Sequence, residues 1–201
     1  MTSPYKISER LLAVQILGSL LQQHGSLAGL LDNNTLAKVQ SPALSQELCY
    51  GVCRWYPRLQ FYLQKLLDKP LRSKDLDVQC LLLVALYQLL FMRTPDHATV
   101  NESVAAVETL GKSWAKALVN AVLRKVARLS VGEMAWPSDG ARLSYPDWIV
   151  DRFRTEREAE LDANAGELSA DELDRVLGTV YVTVEDNFRA LLELAFASRF
   201  S

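Results

Sequence analysis

The sequence predicts an all-α bundle, and three observations predict it. Apolar residues recur at three- and four-residue steps through the first two thirds of the chain, beginning with Ile7, Leu11, Val14, Leu17 and Leu21. No segment of that region alternates with period two, as a half-buried strand would. Punctuating residues fall between the periodic segments, at Pro42, Pro70, Pro95 and Gly111, where helices start or stop.

The first helix turns Ile7 to Leu21 inward and leaves Lys6, Arg10 and Gln22 on its outer side. A turn over residues 24–26 leads to a second helix through Leu27, Leu30 and Leu31, which resumes after an interruption at 32–34 and continues to Val39. Ser41 and Pro42 make a strong helix start, with the proline in the first turn and the serine available as cap. Leu44, Leu48, Val52, Trp55, Leu59, Tyr62, Leu66 and Leu67 then keep the helical period to about Asp68. Pro57 interrupts this run, so a kink or two abutting helices are expected there. Residues 75–93 form the next helix, apolar almost all round except for Gln88, and Thr94-Pro95 ends it. A short amphipathic helix covers 99–110, Gly111 stops it, and residues 113–128 make the last helix of the block.

Residues 131–144 change character. Gly132, Trp136, Pro137, Ser138, Asp139 and Gly140 mark them as a linker. The division is therefore a helical domain over 1–130, a linker, and an acidic, mainly helical extension over 145–201. Within the extension, Tyr145 and Pro146 open a helix through Ile149, Val150 and Phe153. Ser169 and Glu172 fit a capping box. Residues 179–184 alternate weakly, as a short strand would, ahead of a final helix through Phe188, Leu191, Leu192 and Phe196.

Composition sets outer bounds. With 49% apolar and 23% charged residues the chain can bury a core. The net charge of −2 conceals a split: residues 1–130 carry 15 Lys+Arg against 9 Asp+Glu, a net of +6, and residues 131–201 carry 7 against 15, a net of −8. A basic front half points to a polyanion partner. Cys49, Cys53 and Cys80 are too few and too irregularly spaced for a disulfide framework, which suits reduced thiols and a cytoplasmic setting. The first ten residues have no signal-peptide core, and the longest apolar run, 80–92, is shorter than the roughly 20 residues that a membrane span needs.

The residues say little for catalysis. Cys49 and Cys53 share a helix face, but His24 and His97 stand alone, so two core thiols are favoured over a metal pair. His97 reads as a helix-entry residue. Asn120, on an otherwise apolar face, is either an RNA contact or a partly buried amide held by a loop backbone. The cations are better candidates. Arg54 and Arg58 flank Trp55 and Tyr56, and RNA recognition pairs guanidinium groups on phosphate with aromatic rings on unpaired bases. Lys6 and Arg10 lie on the outer side of the first helix. Arg124, Lys125 and Arg128 end the last one, where they also offset its dipole. The RNA-binding set is thus Lys6, Arg10, Arg54, Trp55, Arg58, Arg124, Lys125 and Arg128, with Trp55 and Tyr56 also readable as core.

Several blocks fall in one order: QELCYGVCR at 46–54, LVALYQLLFMR at 83–93 followed by Pro95-x-His97-Ala98, V-N-E at 100–102, ALVNAVLRKVAR at 117–128, and Tyr145-Pro146-x-Trp148. Over residues 7–154 the chain resembles the NusB-like helical domain that opens bacterial ribosomal RNA cytosine-C5 methyltransferases. That resemblance implies an all-α, NusB-like RNA-binding fold that helps engage small-subunit ribosomal RNA. In the family a separate domain performs methyl transfer with S-adenosylmethionine, using a cysteine in a Pro-Cys context. None of the three cysteines here follows proline and no G-x-G-x-x-G occurs, so the chain is expected to bind ribosomal RNA with no cofactor of its own and without catalysing transfer. An adaptor of the transcription-antitermination type, binding a ribosomal or transcription protein, is the alternative.

Overall fold

The computed structural model describes residues 7–126, 136–145 and 147–160. Ten α-helices and two 3-10 turns make up the regular structure of those residues, with no strand among them. The features expected at 169–196 lie outside the described residues.

Helix α1, Glu9–Leu21, begins where Ser8 Oγ accepts from the Leu11 amide at 3.3 Å. It ends in a turn that needs positive φ at Gln23 and Gly25. The expected second helix is two single turns, α2 (Leu27–Leu30) and α3 (Asn33–Leu36). Asp32 divides them because its carboxylate caps α3, accepting from the Thr35 amide at 2.7 Å. Thr35 holds the Asp32 carboxyl below its ordinary range by the same contacts.

Helix α4, Pro42–Arg54, has its proline in the first turn as the sequence requires. Ser41 does not cap with its side chain; its amide donates instead to Glu9 Oε1 at 2.9 Å, tying α4 to α1. The chain breaks at Trp55 and α5 runs over Tyr56–Leu66, so the proline interruption resolves as two abutting helices.

A 3-10 turn at Ser73–Asp75 leads into α6, Leu76–Phe91. Residues 80–88 of α6 are buried on every side, and α1, α4, α5, α7 and α8 all pack against this one helix. A helix apolar all round needs such a cage. Its polar exception, Gln88, is 1% exposed and accepts a 2.8 Å bond from Arg10 Nε.

Helix α7, Asp96–Thr109, closes on Gly111 at φ +67. The Gly111 and Lys112 amides bond back to Glu108 and Val107 at 2.9 and 3.1 Å, the paired closure that a left-handed glycine permits. A 3-10 turn at Ser113–Ala115 precedes α8, Lys116–Val126. The described part of the expected linker is ordered into α9, Asp139–Leu143, which packs on α5. Helix α10, Asp147–Glu160, packs on α9, and its Ile149 and Val150 are buried. None of the described helices is long and apolar enough to cross a membrane.

Candidate nucleic-acid interface

The expected RNA-binding residues separate into groups with different surroundings. Arg54, Trp55 and Arg58 come together at the α4–α5 break, and they face protein. Arg54 donates from Nη1 to the Ser144 carbonyl at 3.1 Å and from Nη2 to the Tyr145 hydroxyl at 3.0 Å. Its guanidinium lies 4.5 Å from the Tyr145 ring and 5.2 Å from the Trp55 ring. Arg58 lies between Trp55, at 5.6 Å, and Trp136, at 5.0 Å. Trp55 stacks on Phe91 with centroids 4.5 Å apart. Tyr56 is core.

Arg10 corrects the sequence reading. Its side chain is only 11% exposed, and it turns inward to bond Gln88 and pair with Glu102 on α7. The apolar periodicity of α1 places it outside, but a buried glutamine on α6 offers an acceptor that draws the guanidinium in. Lys6 and Arg128 lie outside the described residues. Arg124 and Lys125 are exposed on α8, with no ion pair to either among the described residues. Asn120 is half-buried.

Beside α8 lies a feature that the sequence reading does not single out. An open groove of about 400 Å³ is lined by the loop over residues 67–72, by Asp75, and by Trp114 and Leu118. Trp114 is 51% exposed there. Arg72 stands at the same wall, 70% exposed, with its Nε held by Asp75 Oδ2 at 3.2 Å. Lys112 Nζ grips the other Asp75 oxygen at 2.9 Å and the Lys74 carbonyl at 2.9 Å. Lys112, and then Arg72, hold the Asp75 carboxyl below its ordinary value of 3.8, and Asp75 in turn raises the Lys112 ammonium. Asp75 is therefore paired by Lys112 and Arg72, and the solvent-facing lining of the groove carries Lys69 and Arg72 beside the exposed Asp68. From Leu118 the exposed face of α8 continues to Lys125, seven residues and about 10 Å along the axis.

The exposed tryptophan beside two cations is legible only after the fact. Trp114 is more than forty residues from Lys69 and Arg72 in the chain, and only tertiary packing brings it beside them.

The three cysteines are buried and none forms a disulfide. Burial pushes the Cys49 and Cys80 thiols up to about 12, so neither is a nucleophile at neutral pH. No cluster of metal-ligating side chains occurs among the described residues.

Residues 7–128 match the NusB family model. The chain belongs to the NusB family. Among curated proteins it is 42% identical over 149 residues to the ribosomal RNA small subunit methyltransferase B of Pasteurella multocida, covering 74% of this chain and 33% of that protein. It is 40% identical over 149 residues to the protein of the same name from Pseudomonas putida, covering 71% and 34%. With that from Pseudomonas syringae it shares 44% identity over 124 residues, covering 61% and 28%. The chain thus spans about a third of the length of the relatives it matches. The family match and the all-helical structure bear out the expected NusB-like fold.

Proposed function

We propose that this NusB-family chain binds RNA, small-subunit ribosomal RNA in particular, through the groove at Trp114 and the adjoining face of α8. The observation that carries the reading is the half-exposed Trp114 set in a groove beside Lys69 and Arg72; the other exposed rings among the described residues, Tyr50 and Trp148, do not line that groove. Such a groove suits an unpaired base stacked on the indole with its phosphates on the flanking cations. Arg124 and Lys125 extend the basic surface along α8. The names of the relatives supply the ribosomal RNA target. In this reading methyl transfer, with S-adenosylmethionine, belongs to a catalytic domain of the kind the relatives' names imply, and the residues described here handle RNA.

Fluorescence anisotropy of the full chain with small-subunit ribosomal RNA fragments tests the proposal, with heparin as control. Affinity is expected to fall steeply between about 50 and 200 mM salt and to exceed that for heparin. Equal affinity for heparin, or none for the RNA, overturns it. Capture of a ribosomal protein from nuclease-treated lysate by a chain that ignores RNA is the outcome that favours the adaptor instead.

A further inference from the structure

Residues 136–145 lie on α4 and α5 through a ladder of alternating rings and cations. In spatial order it runs Tyr145, Arg54, Trp55, Arg58, Trp136, with cation-to-centroid distances of 4.5, 5.2, 5.6 and 5.0 Å. Both ends are fastened. At one end Arg54 spends two of its donors on the Ser144 carbonyl and the Tyr145 hydroxyl. At the other, Trp136 lies 4.8 Å from Phe61 and 5.4 Å from Tyr62, ring centre to ring centre. The middle rung rests on the core: Trp55 stacks on Phe91, Phe91 on Tyr87, and the Tyr87 hydroxyl donates to Glu47.

The turn that follows is equally constrained. Ser144 adopts the left-handed conformation at φ 59 and is fully buried. The Asp147 carboxylate accepts from the Gly140 amide at 3.1 Å, and a Cβ on Gly140 would lie 2.2 Å from it. Helix α10 therefore leaves α9 along a path set by packed atoms. Among the described residues neither Arg54 nor Arg58 has a carboxylate in ion-pair reach; ring faces flank both, and Arg54 alone also bonds the Ser144 and Tyr145 oxygens. Guanidinium suits this work, since its planar fork bonds two oxygens at once and stacks on rings, which an ammonium cannot do.

We infer that the ladder is a joint: Arg54 and Arg58 are positioning residues that fix α9 and α10 on the NusB core, so that α10 points in one direction. About two thirds of the relatives' length lies outside the matched region. A fixed direction would set where that remainder stands relative to the core. The inference rests on the ladder geometry, not on the RNA reading.

The test uses the full chain carrying spin labels at Gln15→Cys on α1 and Thr155→Cys on α10, both exposed positions, while the native cysteines are buried. The parent should give one narrow label-to-label distance. Arg54→Ala/Arg58→Ala should broaden it about twofold or more, and Arg54→Lys/Arg58→Lys should broaden it comparably, because the charge is kept and the fork is lost. Hydrogen exchange across α6 reports whether the bundle survives; Tyr145→Phe with Trp136→Ala, which cuts the ladder from the docked side, decides the matter if the arginine variants unfold. An unchanged narrow distance in variants that stay folded overturns the joint. So does an RNA affinity about tenfold weaker in the alanine variant but restored by lysine, with the distance unmoved, since that marks phosphate contacts. If the parent binds no RNA, the distance measurement still decides, and only the RNA reading fails.

Discussion

Two regions of this protein set cations beside tryptophan and have opposite fates. At the α4–α5 break, Arg54 and Arg58 are half-buried and every flat face they offer meets a ring of the protein. At the groove beside α8, Arg72 and Lys69 are exposed and Trp114 has half of its surface in water. The difference lies in what packs over each: α9 and its flanks cover the first region, and no described element covers the second. A pairing of Arg with Trp is thus a neutral fact until burial is known. It describes a joint in one place and an open surface in the other.

The sharpest way to break the first region is from beneath. Gly51 lies on α4 where a Cβ would come within 2.0 Å of Tyr87 Cζ, and Tyr87 supports Phe91 and through it Trp55. Gly51→Ala should destabilise the protein by about 1–3 kcal/mol, the usual cost of overpacking a close-packed core. Thermal melting measures this, and an unchanged midpoint would show that Tyr87 swings aside freely. The second region should respond in affinity and not in stability. Trp114→Ala should weaken RNA binding about tenfold, as loss of one stacked base would, with the melting midpoint held. A destabilised variant with unaltered affinity would mean that Trp114 packs in solution.

Much of the bundle is legible in the sequence because helical periodicity and its punctuation are local signals. Pro42, Pro57 and Gly111 each mark a helix boundary that the structure contains, and the apolar stretch of α6 announces a helix caged by others. The site is less legible because it depends on long-range packing. Arg10 belongs to the outer side by period, yet Gln88, 78 residues away, draws it inside. Gln88 itself was the available clue, as a lone amide in an apolar helix needs a partner. Trp136 sits in a stretch whose Gly, Pro and Ser content reads as linker, because composition registers turn residues and not the ring that docks between them, and Tyr145 reads only as the start of the next helix.

Asp75 sharpens the comparison from the groove side. Its carboxylate is all but buried and carries both Arg72 and Lys112, so it holds the groove wall in place. Its folded pKa lies below the ordinary 3.8. The stability it contributes is therefore fully present above that value and is lost as pH falls through the lower, folded one. Asp75→Asn should melt below the parent at neutral pH, and the gap should close as the solution is taken below about pH 4. A gap that persists in acid would assign the effect to packing and not to charge. The partner ion runs the other way: the Lys112 pKa is raised, so its share holds through neutral pH and fades only as pH rises above the ordinary 10.5.

Arg124 and Lys125 should give the smallest effect on the fold and the clearest on charge. They end α8 exposed, where replacing a surface side chain typically changes stability by no more than about 0.5 kcal/mol. Some of even that is the loss of two cations from a helix C-terminus. If they contact phosphate, Arg124→Ala/Lys125→Ala should lower the slope of log affinity against log salt by about 1.4 to 1.8, one counterion per lost contact. The weakening should be uniform across RNA sequences, because phosphate contacts position without reading bases. Trp114→Ala, by contrast, should leave the salt slope alone and weaken binding at every salt concentration. Identical slopes in the parent and the α8 variant would confine the interface to the groove, and the basic end of α8 would then be a helix-dipole feature alone.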